Sequence, residues 1–347
     1  MTKSAFSFGL IGAVLCFQSC TKNETVVQQT PIGDPFQITA DQYSLHSYFV
    51  DTSYIPFYEP FYQNEPPVVN VASQIVEAEV WVQRQGTVVY PSDRLGIAWI
   101  NLPSRPSSGY DSTFRLSPGI PGEVDYGRFY RLDPMSYRID ADGYLGVISF
   151  YFDPVPDIIF ALAYRRADGT QYGDFLRNGF ADTTSTPMIL KMVKPRYLLR
   201  DGPLYSVAWK MLLKNIYVVY SGHISRHEFQ LDIMRTNQAN AEENIIQGRR
   251  LLNVLGLDRF AEDGTMTPNG DGLFDFRPQR TILQSTGELI FPSLRPFDAG
   301  IKQYFFGQGL PPPDASFLYP DLYDTTQAVA KQSSRNRYSI RGRAIFD

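Results

Sequence analysis

Cysteine is almost absent from this 347-residue chain: only Cys16 and Cys20 occur. No internal disulfide can brace the body that follows them. Histidine is as scarce, with His46, His223 and His227 alone, which leaves few ways to build an imidazole-centred catalytic site. Net charge is small. Removing residues 1–19 takes Lys3 from 32 basic residues against 36 acidic, so the net moves from −4 to −5. That balance excludes a broad nucleic-acid footprint and adhesion to an anionic membrane by charge. No apolar run after residue 20 approaches the ~20 residues that span a bilayer, so no transmembrane helix is expected. Nucleophile-elbow, phosphate-loop and dinucleotide fingerprints are missing too.

What is present begins with an export signal. Lys3 supplies a positive start, Phe8 to Phe17 an apolar run, and Ser19-Cys20 is followed by polar Thr21-Lys22-Asn23-Glu24. The run is too short to span a membrane and suits a signal peptide, here residues 1–19. A small residue before a cysteine at that point has the form of a lipoprotein box, with cleavage before Cys20 and diacylglycerol on its thiol. The alternative is an ordinary secretory peptide in which Cys20 is incidental.

Aromatic residues make up 14% of the chain, and 26 Gly with 25 Pro punctuate it, which favours many short strands over long helices. The expected fold is mostly β, in tandem antiparallel modules with one or two short helices. Residues 20–45 form a Gln/Thr-rich flexible tether, 46–200 a first β module and 201–347 a second, with the boundary near 195–205. Two hairpins share a scheme: 137–150 turning at Gly143, and 281–291 turning at Gly287. The segment 207–222 reads as a long strand from its β-branched and Tyr residues, with a helix as the alternative. Helices are expected at 249–256, stopped by Gly256, and at 321–332, capped by Asp321 or Asp324. The alternating run 336–347 reads as an incomplete edge strand, open to a partner or to further strands of a longer protein.

Few motifs carry chemistry. Asn269, Asp271 and Asp275, with Gly272 at the turn, have the oxygen spacing of a Ca²⁺ loop but lack its terminal Glu, which favours a plain Gly/Asn turn. His223 and His227 are four apart, as zinc ligands on a helix would be, yet the segment reads as a polar turn. Asp140/Asp142 and Glu242/Glu243 are expected to be solvated acids. No catalytic residue, metal or cofactor is assigned.

Several segments, taken in order, resemble the SprA (Sov) outer-membrane translocon family of the type IX secretion system. In the first half they are DTSYIPFYEP (51–60), VEAEVWVQ (76–83), LGIAWINLP (95–103) and AYRRADGTQYGDF (163–175). The second half adds LLKNIY (212–217), FQLDI (229–233), LLNVLGLDRF (251–260), NGDGLFDF (269–276), GELIFPSLRPF (287–297), DLYDTTQAVAKQ (321–332) and NRYSIRGRA (336–344). The resemblance implies an outer-membrane or cell-surface component serving protein secretion and gliding motility, without enzymatic activity. Its implied partners are the remaining translocon barrel or secretion-system proteins, with the membrane reached through a lipid at Cys20. Family members are several times longer, so this chain is expected to be an amino-terminal module or fragment that closes no pore alone. Strand 337–346 is then the expected docking edge. The alternatives are a stand-alone surface lipoprotein that binds protein or glycan through an aromatic-rich face, and a hydrolase whose cleft would have to unite His with carboxylates.

Overall fold

Short strands separated by Gly and Pro outweigh helix, about 30% against 20%, and every helix among the described residues is short. The computed structural model describes residues 33–346, apart from 118, 121, 177–185, 199 and 201–204. The expected export signal, Cys20 and the lead as far as residue 32 lie outside the described residues. In chain order the first strands are β1 (Asp34–Thr39), β2 (Ser47–Phe49), β3 (Ile75–Gln83), β4 (Arg94–Trp99), β5 (Val124–Arg131), β6 (Tyr137–Ile139), β7 (Val147–Phe150), β8 (Phe160–Arg166), β9 (Gln171–Tyr172) and β10 (Met188–Lys194). After them come β11 (Ile216–Val218), β12 (Gln230–Thr236), β13 (Glu242–Glu243), β14 (Ile245–Ile246), β15 (Arg249–Arg250), β16 (Ile282–Leu283), β17 (Glu288–Ile290) and β18 (Tyr338–Ala344). The helices are α1 (Ile55–Gln63), α2 (Ser112–Arg115), α3 (Tyr205–Met211), α4 (Leu251–Val254), α5 (Ile301–Gly307), α6 (Asp321–Asp324) and α7 (Gln327–Lys331).

Five strands close a small barrel. β3 pairs with β5, β5 with β4, β4 with β10, β10 with β8, and β8 returns to β3. Only β4–β10 is parallel; the other four contacts are antiparallel. Closure removes the edges that an open sheet of this size would expose. β10, Met-Ile-Leu-Lys-Met-Val-Lys, is buried along its whole length, which is unusual for a strand holding two lysines. Lys191 is accommodated because Nζ lies 2.7 Å from the Asp51 carboxylate and also donates to the Ile100 carbonyl. Burial pulls the Lys191 ammonium below the ordinary lysine range, and Asp51 opposes that shift.

Beyond the barrel, the four-stranded sheet runs β1–β18–β12–β13, and smaller sheets join β2–β7–β6 and β11–β17–β16. One hydrophobic core extends from Ile38 through Tyr58, Trp81, Phe160 and Leu213 to Ile340. It crosses the expected boundary near residue 200 without a break, and residues 32–347 form one compact unit. The barrel belongs wholly to the first half, so the second half is not a copy of it.

Both expected hairpins are present. Tyr137 pairs with Phe150, and Ile282 with Leu289. Gly143 and Gly287 sit at φ +85° and +64°, the left-handed region that their turns require. Gly256, at φ +77°, follows α4 as its stop.

Three expectations are corrected. The segment 207–222 is neither one strand nor one helix. α3 ends at Met211 and the chain then enters the three-residue β11, because Ala208, Met211 and Leu213 must all reach the shared core. The 321–332 helix is two helices, and the side-chain cap is Thr326 on α7 rather than Asp321 or Asp324. Residues 34–45 are not part of a tether, since β1 starts at Asp34 and Tyr43 to Val50 contribute buried residues.

The largest correction concerns the carboxyl end. The run expected as a bare edge is the most enclosed strand of its sheet. β18 pairs with β1 over Asp34↔Ala344 to Thr39↔Ser339, and with β12 over Gln230↔Arg343 to Arg235↔Tyr338. Gly342 shows how tight that enclosure is. A Cβ there would stand 1.9 Å from the Gln230 carbonyl oxygen and 2.5 Å from the Phe36 ring. Backbone cannot step aside as a flexible side chain can. Gly342→Ala is therefore expected to cost about 1–3 kcal/mol of unfolding free energy in urea titrations. Arg341→Ala, which removes only an exposed pair with Glu242, should cost under ~1 kcal/mol. Equal tolerance of both would contradict a central β18.

Candidate functional site

Glu288 opens β17 in an otherwise apolar hairpin, Glu-Leu-Ile-Phe, and only 2% of its side chain is exposed. A carboxylate so placed must be satisfied by neighbours. His46 donates from Nε2 to Oε1, Arg138 reaches Oε2 at 2.8 Å, and the Thr286 hydroxyl also donates to it. Arg138 comes from β6 and spans two acids, with its Nε 2.5 Å from Asp140. Asp140 in turn accepts from Ser149 Oγ at 2.5 Å, and Ser149 lies 2.7 Å from Ser47 Oγ. On the outer side, His46 Nδ1 faces Asp153 at 3.5 Å.

The charges tune each other. Burial raises the Glu288 carboxyl, but the His46 hydrogen bond and the Arg138 charge outweigh it and hold Glu288 below the usual range. Asp140 goes the other way: burial dominates and raises it, against the pull of Arg138 and Ser149. The expectation of two solvated acids at 140 and 142 is thus corrected for Asp140, which is drawn inward by Arg138 and Ser149. Glu242 and Glu243 do lie at the periphery, where they meet Arg341 and Arg235.

This network floors a cleft of about 520 Å³ lined by His46, Arg138, Tyr151, Phe152, Asp153, Ser221, Ser285 and Thr286, among others. The cleft does unite a histidine with carboxylates, the feature a hydrolase would need. Both imidazole nitrogens face carboxylates, leaving neither directed at a nucleophile, and no described hydroxyl hydrogen-bonds the ring. Thr286 is turned to Glu288, and the Ser47–Ser149 pair leads to Asp140. The arrangement holds strands together and presents a polar floor.

The other sequence candidates fall elsewhere. Asn269 accepts from Arg249, while the Asp258 carboxylate accepts the Asp271 and Gly272 amides at 2.8 and 3.0 Å. Asp275 accepts the Arg259 amide at 2.6 Å. The loop is thus tied by its own backbone, a turn whose acids are used as caps. His223 and His227 lie in the turn between β11 and β12, and no group of metal-ligating residues forms among the described residues. A second cleft, of about 540 Å³, lies beside α4 and α5 and is mostly apolar. Its Arg259 is directed at the Tyr62 and Gln63 carbonyls, at the end of α1.

Sequence reasoning missed the pairing of His46 with Glu288, 242 residues apart. The available signal was the lone acid in an apolar hairpin strand. Compared with known proteins, the chain matches no family model and no curated sequence.

Two outcomes test these electrostatics. Glu288→Ala removes one of the two carboxylates that Arg138 meets and leaves His46 Nε2 without its acceptor, and is expected to cost about 1–3 kcal/mol at pH 7. Because the Glu288 carboxyl is lowered on folding, its contribution is complete above its unfolded value of about 4.3 and disappears as pH falls through the lower folded value. The gap between wild type and variant should therefore close in unfolding titrations on the acid side of pH 4. Asp275 has the opposite sign. Burial, aided by the neighbouring Asp258 charge, pushes its carboxyl up to about 6. The folded state binds that proton more tightly than the unfolded chain, so the ionised form costs stability above pH 6. Asp275→Asn should raise the melting temperature at pH 7.5 and lose that advantage at pH 4.5. A gain that is equal at both pH values would refute the assignment.

Proposed function

We propose that this chain is a non-enzymatic, exported component of the bacterial envelope, related to the SprA-type translocon and serving protein secretion and gliding motility through surface contacts. The observation that carries the reading is the ordered set of SprA-like segments, together with how they meet in space. LLKNIY and GELIFP lie side by side in β11 and β17. FQLDI and NRYSIRGRA pair in β12 and β18. The amides of Asp271 and Gly272 in NGDGLFDF bind Asp258 of LLNVLGLDRF. Segments that recur in one order and also pair with one another support a single inherited unit more than a chance likeness of separate hairpins.

The His46–Glu288–Arg138 network fits the non-enzymatic part, since both ring nitrogens of His46 face carboxylates. In this reading Cys20 carries the lipid that holds the body at the membrane, and the docking role moves away from residues 337–346, because 339–343 are paired on both sides. Partners are proteins of the translocon, and nucleic acid is not among them.

The test uses the full chain with its signal, tagged at the carboxyl end and solubilised from the envelope of a gliding bacterium. Co-purification of the translocon barrel is expected. An anchored, folded chain that brings down no secretion-system protein would remove the reading. Palmitate labelling should vanish in Cys20→Ala, and label that persists would sink the anchor assignment.

A further inference from the structure

The cleft above the His46–Glu288 network has a feature that its structural role does not use. Tyr151 and Phe152, consecutive residues just after β7, line its rim with 53% and 38% of their surface exposed, and Val155 beside them in sequence is 52% exposed. Adjacent exposed aromatic and aliphatic side chains on a polar rim mark a place of contact. One face of Tyr151 has the Arg138 guanidinium 5.7 Å from the ring centroid.

The polar groups around this platform divide into used and unused. Glu288 already receives three donors, from His46, Arg138 and Thr286. Asp140 is engaged by Arg138 and Ser149. Asp153 is different: 73% of its side chain is exposed, and its contact is His46 at 3.5 Å, too long for a strong hydrogen bond. Across the cleft stand the hydroxyl side chains of Ser221 and Ser285, both exposed. The site thus offers an aromatic platform, a carboxylate acceptor, and hydroxyls able to donate or accept.

We propose that this cleft binds a neutral sugar ring of an oligosaccharide, stacked on Tyr151 and Phe152 with its hydroxyls on Asp153, Ser221 and Ser285. A pyranose has an apolar C–H face and a rim of hydroxyls, which is the complement of this arrangement. A volume of about 520 Å³ lies in the range of small-molecule sites. A cationic side chain fits less well. The Arg138 guanidinium lies against Tyr151, and two of the three nearby acids already answer it. An anion would meet Asp153 at the rim. The inference concerns a ligand of the chain itself and is independent of the translocon reading.

Isothermal titration calorimetry on the purified full chain tests it, using hexasaccharides of β-1,4-linked glucose and of β-1,4-linked N-acetylglucosamine, with a short polylysine peptide as competitor. At least one sugar should bind with Kd ~0.1–1 mM. Tyr151→Ala should weaken that binding about 10-fold, the scale of one lost stacking contact, and Asp153→Asn should weaken it about 5-fold, the scale of one hydrogen bond to a charge. Both side chains are largely exposed, so the thermal midpoint of each variant should match wild type. Absence of binding at ~10 mM sugar, affinity unchanged in Tyr151→Ala, or displacement of the sugar by polylysine would each overturn the proposal.

Discussion

A carboxylate buried at Glu288 constrains how the two halves of this chain meet. The shared core is large but indifferent to small slides, because Leu, Ile and Phe contacts are non-directional. Glu288 is not indifferent. Its oxygens need donors, and those come from His46 ahead of β2 and Arg138 on β6. The β16–β17 hairpin must therefore dock where both can reach it. A buried ion pair is weak support for net stability, since desolvation offsets much of the attraction. Its stronger effect is on register: one misplaced residue would take Glu288 away from both His46 and Arg138 and leave a buried carboxylate with only Thr286 as donor.

That view explains what could be read from the sequence and what could not. The hairpins at 137–150 and 281–291 were legible because Gly143 and Gly287 mark turns that other residues resist. Gly256 marked its helix end in the same way. The fate of 336–347 was not legible from alternation, which is the same for an edge strand and a central one. Gly342 in mid-strand was the discordant residue, and glycine there marks close approach of another backbone. The segment 207–222 mixed helix and strand signals because it contains both, split after Met211. The cleft was less legible than the fold. Asp140 and Asp142 share one turn, yet only Asp140 has Arg138 and Ser149 beside it, and that distinction is tertiary.

The acids of 258–275 teach a related point about motif reading. Spacing in Asn-Gly-Asp-Gly suggested oxygen ligands for a cation, but Asn269, Asp271 and Asp275 already accept from Arg249, the Leu273 amide and the Arg259 amide, and Asp258 accepts two further amides of the loop. Gly270 is needed there because a Cβ would fall 1.8 Å from the Asp258 carboxylate. The same glycine and acid pattern that could wrap an ion can wrap the chain on itself. Which one occurs depends on whether amides or a metal supply the positive partners.

Strand order sets the last constraint. β1 and β18 are neighbours although they lie at opposite ends of the described chain, with Asp34 opposite Ala344. β12 on the other flank also depends on β18. Until residues 338–344 are available, β1 has no ladder partner and β12 has only the two-residue β13. Loop-closure entropy rises slowly with length, so the span itself costs little more than a shorter one would. Order of availability matters more. The barrel, whose strands all fall between Ile75 and Lys194, can complete its pairing from the first half alone. The four-stranded sheet and the docking around Glu288 must wait for the second. A chain that folds from its amino end would thus hold its four-stranded sheet open until β18 arrives.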